Sequence, residues 1–278
     1  MKRLIASGIT LALSQLSFAE GSPWLPEPGS TAISLSQIHQ TADELYVKDD
    51  KNDLPGDLEQ DTTFLSVTHG LNDDFALDFR TGYARSTFDP APESHESGRT
   101  DTNLGVSWRV IDEFISEHNL PSTVIRAGVV LQGNYDTGNI NAIGDGADAF
   151  ELSVISGKII NQWLAVSGEL GYRARNSDVP DDIYYKLGTY LSPLPAFTVS
   201  LNYSNTNARD GINIGGNGFE SNGGTNFHKL EEDTETIDLG ISYGFTENIS
   251  AGVNAAQVID GKNTANSEVY ALTLGYSF

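Results

Sequence analysis

The chain has 278 residues, a formal net charge of −22 and no cysteine. So acidic a balance excludes a nucleic-acid partner, which needs a basic face, and the missing thiols exclude disulfides and thiolate metal centres. Hydrophobic residues make up only 38%, below a soluble core, while 9% aromatics is too rich for a disordered chain.

The amino end carries Lys2 and Arg3, then a mostly apolar run from Leu4 to Leu16, then Ser17-Phe18-Ala19 as a small-x-small cleavage site. This pattern predicts a signal peptide over residues 1–19 and a mature domain over 20–278. The run is too short to cross a bilayer as a helix, which takes about 20 residues. Gly21-Ser22-Pro23-Trp24-Leu25-Pro26 would break any helix continuing from it. Without Lys2 and Arg3 the mature chain holds 14 basic and 38 acidic residues, a net charge of −24.

Beyond this point apolar residues recur with period two. Phe75, Leu77, Phe79 and Tyr83 alternate with Ala76, Asp78, Arg80 and Gly82, and Leu104, Val106 and Trp108 alternate with Gly105, Ser107 and Arg109. The same alternation runs through Ile125–Leu131, Leu164–Tyr172, Phe197–Tyr203 and Ile237–Tyr243. Segments near 30–46, 58–69, 75–87, 99–110, 122–135, 147–160, 163–175, 182–191, 197–208, 231–243, 249–260 and 267–278 make about twelve strands. Soluble sandwiches alternate too, but their strands average about 5–6 residues, whereas a tilted membrane strand needs about 9–11. Tight turns at 70–74, 161–162, 192–196 and 244–248 interleave with long Gly/Asp/Asn-rich loops at 47–57, 88–98, 136–146 and 209–230. Short periplasmic turns against long external loops predict an all-β, transmembrane antiparallel β-barrel of the bacterial outer membrane.

Two segments fit the scheme poorly. The connector at 111–121 lies on the short-turn side yet is long and amphipathic, which predicts a short periplasmic helix or an extended turn. In the first strand Ile33 and Leu35 share one parity and Ile38 the other, which predicts a bulge near Gln37. Tyr46, Phe88, Trp108, Tyr135, Trp163, Phe197 and Tyr243 stand near strand ends, as interface girdles require. The final stripe Tyr270, Leu272, Leu274, Tyr276 and Phe278 ends on an aromatic. It resembles the last strand read by the bacterial barrel-assembly machinery, which implies that machinery as a partner.

The segment Trp24-Leu25-Pro26-Glu27-Pro28-Gly29 followed by Ala32-Ile33-Ser34-Leu35-Ser36, and the hairpin His69-Gly70-Leu71-Asn72-Asp73-Asp74-Phe75, carry a resemblance. Together they look like proteobacterial outer-membrane barrels of the MetA-pathway-of-phenol-degradation, or "transporter", family. The turn departs from the family pattern at Asn72, where Thr is common. The resemblance implies a small channel or uptake barrel and no catalytic residue.

Gly240-Ile241-Ser242-Tyr243-Gly244 matches a nucleophile-elbow pattern, but it lies in an alternating strand rather than a strand-to-helix turn. The five histidines are scattered, with no zinc spacing. No enzyme, metal or cofactor is therefore expected. Acid-rich loops around Asp49–Asp61, Asp145–Asp148 and Glu231–Glu235 read as solvated rims, with lipopolysaccharide-bridging cations as the alternative. If the apolar parity faces lipid, then Asp78, Arg80, Arg109, Arg126, Glu151, Glu169, Arg173, Lys186 and Asp238 line the lumen beside small residues such as Gly105, Gly128, Gly171, Gly188, Gly240 and Gly252. These charges either line an aqueous path or pair across it and plug it. The expectation is a channel or uptake barrel passing a small solute, its partners being outer-membrane lipid, lipopolysaccharide and that solute. The alternative is a structural or adhesion barrel acting through its acidic loops.

Overall fold

A computed structural model of the protein describes residues 21–278 apart from 92, 117, 222 and 223. The predicted signal peptide and its cleavage site lie outside the described residues.

Among these residues twelve strands close into one antiparallel ring. They are β1 (Thr31–Val47), β2 (Asp50–Gly70), β3 (Phe75–Thr87), β4 in two pieces (His95–Arg99 and Thr102–Ile111), β5 (Ser122–Leu131) and β6 (Ala149–Asn161). The ring continues through β7 (Leu164–Arg175), β8 (Asp182–Leu194), β9 (Phe197–Ala208), β10 (Asp233–Gly244), β11 (Ile249–Lys262) and β12 (Glu268–Ser277). Each strand pairs with its sequence neighbours, and β12 returns to β1 with Ala32 opposite Ser277 and Thr41 opposite Glu268. At the seam Thr31 and Phe278 exchange both backbone hydrogen bonds, at 2.7 and 2.9 Å. Closure leaves no unpaired edge in hydrocarbon, where an unsatisfied peptide group would be costly.

The apolar parity faces outward. Leu104, Val106, Trp108, Leu170, Leu201, Leu239, Leu272 and Leu274 are all exposed, forming the lipid-facing band. Aromatics rim it at the turn end, where Phe75 stacks on Trp108 and Tyr276 lies against Phe278. Tyr83, Phe150, Tyr172 and Tyr270 do so at the loop end. Tyr46 and Phe88 do not join a girdle as expected: both are buried, Tyr46 near the end of β1 and Phe88 just past the end of β3.

Other expectations also change. β1 has no bulge at Gln37; its pairing with β2 and β12 runs unbroken there, and the shift comes at Ala42/Glu44. The parity break is real, and Ile38 is an apolar residue facing the lumen. The 111–121 connector forms turns and no helix among its described residues. The Gly240–Gly244 motif lies within β10. The broken β4 keeps both pieces on β3, while Asp101 at the break accepts hydrogen bonds from Gly133 N (2.8 Å) and Tyr135 Oη (2.5 Å).

Candidate functional site in the barrel lumen

Small barrels of about eight strands are filled by their own side chains, whereas those of 16–18 strands leave a channel. Twelve strands lie between these sizes, and the inward side chains leave part of the lumen unfilled, including a cavity of about 370 Å³. Part of the remainder is taken by the segment before β1, residues 21–27, which turns back into the barrel from the turn end. Gly21, at φ +93°, adopts a left-handed conformation there, and a Cβ on it would stand 2.6 Å from Ile155 Cδ1. Trp24 is 3% exposed and packs with Ala165, Ile159 and Tyr190, the last edge-on at 6.0 Å. Leu25 joins Ala76, Val124 and Ile155. A Cβ on Gly157 would meet Pro23 at 2.5 Å and Trp24 at 2.8 Å, so the close approach depends on that glycine.

The long connector fastens this segment. Glu113 accepts the indole N–H of Trp24 at 2.9 Å and the backbone N–H of Ile159 at 3.1 Å, and lies 3.5 Å from Lys158 Nζ. Its carboxylate is thus held from two parts of the chain, the inserted segment and the end of β6.

The wall behind the segment carries a ladder of alternating charge. Arg126, 1% exposed, grips Asp78 with Nε at 3.0 Å and Nη2 at 2.6 Å, and meets Glu151 through Nη1 at 2.9 Å. Glu151 accepts from Arg173 Nε at 2.7 Å, and Asp182 pairs with Arg175 at 2.7 Å. Four of the predicted lumen residues, Asp78, Arg126, Glu151 and Arg173, are therefore bonded into one wall. Arg109 sits apart at the periplasmic rim, donating to the Asp73 carbonyl and lying 3.7 Å from Asp112.

The other four, Arg80, Glu169, Lys186 and Asp238, line a cavity of about 370 Å³ on the opposite side of the segment. It is bounded by Pro23, Trp24 and Ile155 on one flank and by inward residues of β7–β12 on the other, with Ile38 of β1 and Arg80 of β3 between them around the ring. Its charges are matched. Lys186 lies 3.6 Å from Glu169. Asp238 accepts from Asn202 Nδ2 at 2.7 Å and from Asn254 Nδ2 at 3.0 Å. The Arg80 guanidinium covers the Phe64 ring at 3.8 Å. Sequence reasoning missed Trp24, Glu113, Tyr190, Asn202 and Asn254. The excess length of the 111–121 connector was the one signal that pointed toward Glu113.

At the outer end the loops knit together. Thr225 and Phe227 of the 209–232 loop bond to Gly138 in the 132–148 loop at 2.5 and 3.3 Å, although these loops leave the ring four strands apart. Lys229 reaches Asp178 at 3.1 Å, and Asn263 donates to Asn213 at 3.0 Å and to the Glu231 carbonyl at 2.8 Å. Glu232 accepts from Thr264. Crowding by the loops, followed by the charge on Asp145, pushes the Glu232 carboxyl up to about 7.

No family model matches the chain, and no curated protein does. Among solved structures it is similar to the COG4313 outer membrane channel from Pseudomonas putida F1, at 16% identity and TM-score 0.73 over 94% of this chain and 100% of that one. It is similar also to the NanC porin, at 7% identity and TM-score 0.56 over 88% and 98% of the two chains. The KdgM porin in complex with disordered oligogalacturonate matches at 11% identity and TM-score 0.52 over 88% and 99%. At these identities the likeness establishes the fold, that of the bacterial outer-membrane β-barrel.

Proposed function

We propose that the protein is an outer-membrane channel passing a small solute along an off-axis route between the inserted amino-terminal segment and the β7–β12 wall. The observation that carries this reading is the asymmetry of the lumen. The charge ladder takes up one side of the lumen, the segment packs between it and β7–β8, and the cavity of about 370 Å³ stands beside the segment against β7–β12. The likeness to outer-membrane channels and the family resemblance of the 69–75 hairpin support the same class. In this reading Arg126 and Glu151 are structural, and the selective lining is Arg80, Glu169, Lys186 and Asp238. With two charges of each sign, that lining favours neither cations nor anions strongly.

The test is single-channel conductance of the refolded protein in planar bilayers across several salts. Small reproducible steps with weak ion selectivity are expected, shifting toward anions in Asp238→Asn and toward cations in Lys186→Gln. A folded barrel that stays silent, with both variants equally silent, would overturn the reading and favour a role for the interlocked acidic loops.

A further inference from the structure

The off-axis cavity has a chemical bias that goes beyond its size. Its charged groups are engaged with partners, so none is left to replace the hydration of an incoming ion. A carboxylate only accepts hydrogen bonds, so Asn202 and Asn254 must present their NH₂ groups to Asp238. Their carbonyl oxygens are thereby left as acceptors. Beside them Ser167 Oγ and Tyr190 Oη lie 3.3 Å apart. All of these residues line the cavity. Three of them converge over Gly188: a Cβ there would lie 2.7 Å from Tyr190 Oη, 2.8 Å from Ser167 Oγ and 3.0 Å from Asn202 Oδ1. Any side chain at this position would collide with these atoms and push them out of this arrangement. The facing surface, from Pro23, Trp24 and Ile38, is apolar.

From this geometry we infer that the cavity is a binding station for a small uncharged amphiphile, seating a hydroxyl or N–H donor on the floor over Gly188 and an apolar ring or chain against Trp24. The inference rests on the channel reading for its place on a transport route. A pocket of this size, largely apolar with a few convergent polar groups, has the form of a ligand site. A site built to hydrogen-bond a donor rejects the analogue lacking it far more strongly than an apolar pocket rejects a change of size.

The chain has three tryptophans, and Trp108 and Trp163 face outward, so a Trp108→Phe/Trp163→Phe background leaves Trp24 as sole reporter. The protein is embedded in lipid nanodiscs, because detergent would itself compete as an amphiphile. Trp24 emission is titrated with benzyl alcohol, benzylammonium, benzoate and toluene, which share a ring and differ in charge or in the donor. Saturable binding of benzyl alcohol is expected, about tenfold tighter than each of the others, each tenfold being one good hydrogen bond or one avoided ion desolvation. Gly188→Val should abolish it. Ser167→Ala/Tyr190→Phe, which keeps the cavity shape, should weaken benzyl alcohol about tenfold and leave toluene unchanged. Equal responses to all four probes, tighter binding of an ion, or unchanged binding in the double variant would each overturn the proposal. Conductance of the same preparations separates the two ideas: steps without selective binding remove the station and leave the channel, while selective binding in a silent barrel keeps the station and removes the channel.

Discussion

Arg126 holds Asp78 from two strands away, and it does so across Gly105. The guanidinium of β5 passes over β4 at the one place where no side chain intervenes: a Cβ on Gly105 would stand 2.5 Å from Arg126 Nη2 and 2.6 Å from Asp78 Oδ1. Gly105→Ala should therefore separate a pair that is 1% and 12% exposed. Removing one partner of a buried pair costs about 3–5 kcal/mol; here both touching atoms are side-chain tips and Arg126 keeps Glu151, so a smaller loss is expected. Urea unfolding in lipid vesicles, or the temperature at which the folded band is lost on a gel, would register this. A variant as stable as the parent would show that the pairing does not support the wall.

The bond from Trp24 to Glu113 gives a second prediction. Truncating a buried Trp costs about 3–5 kcal/mol of local packing, and here that packing holds the inserted segment. Trp24→Ala should raise single-channel conductance and bring the residues around Gly21 within reach of proteases added from the turn side. Glu113→Gln, which retains an acceptor for the indole but loses the charge facing Lys158, should do so more weakly. Unchanged conductance in Trp24→Ala would mean the segment does not limit the passage.

The interlocked mouth should respond to pH through Glu232. Glu232 is exposed as a residue, but the surrounding groups crowd its carboxyl, and Asp145 adds repulsion while Arg175 opposes it. Asp145, raised by its own burial, faces Arg175, Asp101, Arg173 and His228. A folded-state pKa above the unfolded value means the closed arrangement binds the proton more tightly. The stabilisation is then complete below the ordinary value of 4.5 and lost as pH rises through about 7. Hydrogen exchange in the 209–232 loop should accordingly be better protected, after correction for intrinsic rates, at about pH 5 than at about pH 8. Glu232→Gln should flatten that difference; a pH response unchanged in the variant would assign it to another group.

Phe278 closes the seam by its backbone and packs its ring 5.7 Å from Tyr276. Deleting it should reduce the yield of assembled barrel in cells more than it reduces refolding in lipid vesicles, if the assembly machinery reads the last strand. Equal losses in both settings would assign Phe278 to the seam alone.

The ring itself was largely legible, because a lipid-facing band writes an alternating pattern into every strand, and turn and loop lengths alternate with the two faces of the membrane. What escaped was whatever a closed interior makes possible. Ile38 looks like an error of register until the cavity it faces is known. Arg126 and Arg80 share a parity and a charge, yet one is buried in a wall and the other lines the cavity. Arg126 reaches its partner because the strand between them carries Gly105 at the crossing point. Residues 21–27 have no periodicity at all, so nothing local announces that Trp24 is among the most buried side chains.

Since Thr31 and Phe278 meet as ordinary ladder partners, the ring has no intrinsic first strand. A circularly permuted chain, opened within the 209–232 loop and joined between 278 and 31, would retain the strand pairings of the ring, the charge ladder and the β7–β12 flank. It would forfeit only residues 21–30. Joining the two ends therefore leaves the wall whole and removes only what Trp24 and Leu25 pack onto its inner face.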